Sequence, residues 1–185
     1  MNTTVEPQSE LTPGPATVAA LVAQLVDGPW PSSDEKRKSL FRRLHFKTGE
    51  RLDHDSDGSS TASFTLLTDL PGVSFASWDS FRGRFMSVHF HLYSFPDAQG
   101  PATRLGHDAV SGKLTDLYGQ PTRPWEDEEV PPSIWKVNRR EIATHLFTKR
   151  DSTLMLSISD EELEAAAEAE AVHQTHKPDK IDPSL

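Results

Sequence analysis

The chain contains no cysteine. No disulfide can hold it together, no thiol can act as a nucleophile, and cysteine-based metal sites are excluded. Long apolar runs are also missing. The longest apolar-rich stretch, from Val18 to Val26, falls far short of the roughly 20 residues a membrane-spanning helix needs. The opening MNTTVEPQSELTPGP lacks a basic start followed by an apolar run, so no signal peptide is expected. A soluble protein of a reducing compartment, the cytoplasm, is the expectation. Basic residues are the third shortage: 19 Lys and Arg stand against 28 Asp and Glu, for a net charge of −9. That balance disfavours binding to a phosphate backbone, which needs a concentrated positive face. It suits a basic partner, because opposite fields speed encounter, and it also serves solubility alone. Catalytic signatures are absent too. There is no Gly-x-Ser-x-Gly turn, no Gly-x-Gly-x-x-Gly after a strand and no phosphate loop, so neither an enzyme nor a cofactor is expected.

What is present fits one domain. A chain of 185 residues can bury a core without staples, although 14 prolines and 10 glycines imply substantial loop or tail. Residues 1–14 and 174–185 are polar and read as disordered tails around a single domain over 15–173. Val18, Leu21, Val22 and Leu25 recur at helical spacing until Asp27-Gly28-Pro29 stops the pattern. Ser32 with Glu35 suggests a capping box for a second helix through about Leu44, with Leu40, Phe41 and Leu44 on one face. From His45 to Thr61 the chain is polar, and no strand is expected there. Strands are predicted at 63–67, 73–81 and 85–95, with a turn at Pro71-Gly72 and a hairpin at Arg82-Gly83. In the longest, Met86, Val88, Phe90 and Leu92 point one way, while Ser87, His89, His91 and Tyr93 point the other.

Gly100-Pro101 opens a helix whose stripe is Val110, Leu114 and Leu117, and Gly119 with Pro121 ends it. Strands follow at 133–137, 141–149 and 153–159. Ser159 with Glu162 then suggests a capping box for a Glu/Ala-rich helix to about His173. The expected fold is α+β: an antiparallel sheet of about six strands in two meanders joined by a helix, with two N-terminal helices and one C-terminal helix. One face packs on helices and the other is at least partly wet.

Several local patterns are candidate sites. Asp53-His54-Asp55-Ser56-Asp57-Gly58 begins like a calcium loop, with oxygens at alternate positions and a sixth-position Gly. The twelfth position is Phe64 where a bidentate Glu is required, so a solvated loop is the better reading. His89 and His91 share a strand face and could ligate zinc with His145, but a wet sheet face explains them without metal. His107 lies along a helix stripe, at the edge of a core. Lys36, Arg37, Lys38, Arg42, Arg43 and Lys47 form a basic segment, read as a solvated helix face because no aromatics are interleaved for base stacking. Trp125, Glu126, Asp127, Glu128 and Glu129 form the candidate partner-binding site: an aromatic anchor beside four carboxylates in a Pro-bounded loop, combining buried area with electrostatic steering.

The stretch FRGRFMSVHFHLYSF, the helix end Leu117-Tyr118-Gly119-Gln120-Pro121, the segment Ile134-Trp135-Lys136-Val137 and LMLSISDEE together resemble a family of small actinobacterial proteins of unknown function. Several such families accompany polymorphic or secreted toxins and act as immunity proteins. The resemblance spans about residues 30–165 and implies no catalytic residue. It implies a binding protein that covers the basic active-site cleft of a cognate toxin, with no nucleic acid or membrane partner. The β-β-β-α-β-β order is also similar to the type III secretion chaperone fold, which implies a holder of an extended partner segment. A metal-dependent enzyme built on His89 and His91 is the third alternative.

Overall fold

The computed structural model describes residues 11–52, 60–98, 100–124 and 130–175. It is an α+β fold with a single antiparallel sheet of seven strands, one more than the sequence suggests. The elements are α1 (Pro15–Val26), α2 (Asp34–Arg43), β1 (Phe46–Arg51), β2 (Thr61–Thr68), β3 (Val73–Phe81), β4 (Arg84–Phe95), α3 (Pro101–Tyr118), β5 (Ser133–Val137), β6 (Arg140–Phe147), β7 (Ser152–Asp160) and α4 (Glu161–Thr175). Strand order is β1-β2-β3-β4-β7-β6-β5, so β4 and β7 join a four-stranded meander to a three-stranded one. The extra strand is β1. Its sequence, FKTGER, has only Phe46 buried, which is why no apolar alternation advertises it. Charged residues on an edge strand are the ordinary defence against edge-to-edge pairing.

Two connections follow turn chemistry closely. Arg82 and Gly83 both have positive φ (49° and 75°), as do Asn138 and Arg139 (50° and 64°), the backbone that two-residue hairpins require to match strand twist. The helix caps sit one residue from where spacing placed them. Ser33, not Ser32, accepts the Lys36 N–H at 3.3 Å, and Asp160, not Ser159, accepts the Leu163 N–H at 3.1 Å.

One face of the sheet carries the core. Val88, Phe90, Leu92, Leu154, Leu156, Ile158 and Ile142 are fully buried there against Val18, Val22, Val110 and Leu114 of α1 and α3. Each contributes about 1.5–3 kcal/mol. Trp30, between α1 and α2, stacks on Phe85 at 4.6 Å and donates to its carbonyl at 2.8 Å. The α3 stripe runs Thr103, Gly106, His107, Val110 and Leu114. Leu117 is in phase with this stripe but falls in the helix's last turn and is 56% exposed.

The central strand departs from simple alternation at both ends. Ser80 pairs with Phe85 immediately after Asp79 pairs with Ser87, so Met86 is an inserted residue. The insertion sends Phe85 into the main core and Met86 to the opposite face, where it meets Phe81 and Leu163. At the far end Tyr93, with φ 51°, turns inward beside Leu92. Its hydroxyl, pushed up to about 12 by burial, donates to Pro13 at 2.6 Å and ties Leu11–Gly14 to the core. Alternation therefore holds only for Ser87–Leu92.

Candidate functional site

The sheet face opposite α1–α3 is ordered in rows by strand register. Phe75, His91, Met155 and His145 stand side by side on β3, β4, β7 and β6. The next row is Thr65, Ser77, His89, Ser157, Ala143 and Ile134. A third is Ser63, Asp79, Ser87, Ser159, Glu141 and Lys136. Beyond it α4 crosses the strand ends, seated on Phe81 and Met86 through Leu163. Ion pairs Arg82–Glu170 (2.6 Å) and Arg139–Glu162 hold it at the two hairpins. At the other end nothing among the described residues covers the face, and Leu67, Phe75 and Phe147 are 57%, 42% and 38% exposed. Two shallow hollows flank this end. One, of about 360 Å³, is bordered by Leu67, Val73 and Phe75; the other, of about 390 Å³, by His91, Phe147, Lys149, Arg150 and Asp151. From β2 to β6 the platform spans roughly 19 Å at 4.7–4.9 Å per strand.

A Ser, a His and an Asp meet in the middle of this face. The Asp79 carboxylate lies 2.8 Å from His89 Nε2 and accepts from the Ser87 hydroxyl at 3.0 Å, while Ser87 Oγ is also 3.0 Å from His89 Nε2. Burial pushes the Asp79 carboxyl up, but hydrogen bonds from His89, Ser63 and Ser87 overcome it and hold it below the usual range. This is not an acyl-transfer triad. Both partners converge on one ring nitrogen, whereas a relay needs the carboxylate on one nitrogen and the hydroxyl on the other. Ser87 is also 2% exposed, and its proton is committed to Asp79. The arrangement fixes the His89 ring and keeps a carboxylate charged beneath it.

The three histidines do not converge on a metal. His91 and His145 are two strands apart with Met155 between them. His91 meets Phe75 edge-on at 5.6 Å and His145 stacks on Phe147 at 4.4 Å, while His89 Nε2 is taken by Asp79. Among the described residues no group of three His, Asp or Glu is placed to hold an ion. His91 is held below its ordinary range by burial and by His89, against Asp151. His107 is 7% exposed and pairs with Asp108 at 2.9 Å, at the core edge as its spacing indicates.

The fourth feature is acidic. Glu141 is pushed above the usual carboxylate range by burial and then by Glu164, Glu161 and Glu168, with only Lys136 opposing. Lys136 reaches Glu141 at 3.8 Å and Glu161 at 3.4 Å. The α4 end of the face is thus a negative field beside an apolar one.

The expected partner-binding residues Trp125, Glu126, Asp127, Glu128 and Glu129 fall outside the described residues, as do Asp53-His54-Asp55-Ser56-Asp57-Gly58. N-terminal to the acidic segment, Thr122 pairs with Ile134 of β5 through two 2.9 Å backbone bonds. Sequence reasoning missed Leu67, Phe75 and Phe147. Their signal was an apolar residue out of phase with the buried set on each strand. No helix among the described residues is long and apolar enough to cross a membrane. No family model, curated protein or solved structure matches the chain.

Proposed function

We propose that this is a non-catalytic protein-binding protein of the cytoplasm that docks its partner on the uncovered sheet face. The partner we favour is a basic toxin whose active-site cleft it blocks, in the manner of an immunity protein. The observation that carries the docking reading is the exposure of Leu67, Phe75 and Phe147 around the His91–Met155–His145 row, an apolar patch of the kind that marks contact sites. The clustered carboxylates of Glu141, Glu161, Glu164 and Glu168 favour a basic partner, since an incoming cation relieves their mutual repulsion. The Trp125–Glu129 segment supplies further negative charge.

The test uses the product of the neighbouring gene, titrated calorimetrically against three proteins. These are the wild type, Phe75→Asp/Phe147→Asp, and the variant with Glu126–Glu129 reversed to Lys. The apolar double variant is expected to lose about 100-fold or more in affinity, as removal of central anchors does. The charge reversal is expected to slow association and remove its salt dependence. Equal binding by all three would refute the docking face. Binding without relief of toxicity would refute neutralisation. A chaperone that holds an extended segment would use the same apolar face, and light scattering on the complex separates the two by showing a dimer around one partner chain.

A further inference from the structure

The basic run of α2 plays no part in that face, and the fold brings it to the sheet's outer edge. β1 is a terminal strand. Between it and α2 lies a groove of about 490 Å³ lined by Arg37, Lys38, Phe41, Arg42, Phe46 and Thr48. Phe41 and Phe46 meet edge-to-face at 5.8 Å and close the base. Arg37 forms an immobile wall. Its guanidinium lies over Trp78 at 4.5 Å and Phe41 at 5.0 Å, and donates to Asp34 at 3.0 Å and Thr48 at 3.1 Å. Asp34 also holds Lys38 at 2.7 Å. One carboxylate therefore serves two cations, and the Arg42 side chain makes no hydrogen bond or ion pair with the described residues. Within a chain of net charge −9, this rim is locally positive.

The strand side of the groove offers backbone. β1 pairs with β2 in continuous register over Phe46, Lys47 and Thr48, and the register shifts before Arg51. At Gly49 a Cβ would lie 2.1 Å from Thr65 Oγ1, so the strand can swing inward there only as glycine. Among the described residues no strand pairs with the outer side of Phe46–Thr48, and the side chains of Phe46 and Thr48 line the groove. We propose that an extended acidic peptide segment of another protein adds to β1 here, its alternate side chains entering the groove and its carboxylates meeting Lys38 and Arg42. A nucleic acid fits less well. Phe41 and Phe46 are 3% and 5% exposed and present no ring face for a base.

The inference is independent of the docking face and is tested separately from it. Displayed random peptides are selected on the full chain and on Lys38→Glu/Arg42→Glu, both exposed positions, with circular dichroism checking that the variant keeps the fold. The wild type is expected to enrich sequences alternating Asp or Glu with β-branched or aromatic residues, and the variant is not. A selected peptide should bind about tenfold more weakly to the variant, a loss of about 1.4 kcal/mol, and more weakly in salt. It should shift the amides of Phe46–Thr48 in NMR spectra and bind undiminished to Phe75→Asp/Phe147→Asp. Enrichment without acidic bias, equal enrichment on the variant, or tighter binding of oligothymidylate than of any selected peptide would overturn the proposal.

Discussion

Gly106 sits inside α3, where helix propensity favours alanine by about 1 kcal/mol, yet its hydrogen faces the Tyr93 ring. A Cβ would lie 2.3 Å from Tyr93 Cδ2, and that ring is fixed by its bond to Pro13. Gly106→Ala is therefore expected to destabilise by about 1–3 kcal/mol, the usual cost of overpacking. Gly112→Ala, in the same helix with nothing within 4 Å, is expected to stabilise by about 0.5–1 kcal/mol. Urea denaturation of the two variants checks both signs. The sequence shows two glycines in one helix and does not say which is structural, because the reason for Gly106 lies on β4. Asp79 gives a second case. Its carboxyl is depressed below the ordinary 3.8, so it stabilises the fold above that value and ceases to do so as pH falls through its lower, native value. Asp79→Asn is expected to cost on the order of 1 kcal/mol at pH 7, the scale of a charged hydrogen bond. That difference should shrink as pH falls below 3.8, in urea titrations at pH 7 and at a series of acid pH values.

At the level of elements, α4 is the most weakly attached. Its apolar contact is Leu163 and Ala167 against Phe81 and Met86, and its ion pairs are largely exposed, a kind worth about 0–1 kcal/mol each. Leu163→Ala is expected to unseat the helix without melting the sheet. Hydrogen exchange should then show α4 amides losing protection while β4 and β7 keep theirs; equal loss in all three would count against this. Ten elements were legible in the sequence: most from an apolar set at period 2 or 3.6, β2 from its β-rich composition and α4 from a capping signal before a Glu/Ala-rich run, although each of these two buries a single residue, Leu66 and Leu163. β1 was not, since an edge strand with one buried residue has no such pattern. The bulges of β4 were hidden for a different reason. Met86 continues the alternation of Val88, Phe90 and Leu92 in the sequence, and only pairing with β3 reveals it as the inserted residue.

For the molecule as a whole, charge is the property most easily read from the sequence and least well located by it. The net −9 conceals a positive groove along α2 and a crowd of carboxylates below α4. Since Glu141 is raised above 4.5, its ionisation opposes folding. The fold gains from it at low pH and loses that gain as pH rises through its native value. Glu141→Gln is accordingly expected to raise the melting temperature at pH 7, with the advantage disappearing near pH 4. The apolar face stayed hidden because Leu67, Phe75 and Phe147 come from three strands that only the sheet order brings to one end. That order rests on β4, which changes phase at Met86 and again at Tyr93. Sliding it by one residue would drive Ser87, His89 and His91 into oil and strand Val88, Phe90 and Leu92 in water. Sliding it by two would spare those six but put the inserted residue opposite the wrong partner and unhook Tyr93 from Pro13. The middle strand thus has a single seat, and six others take their places from it.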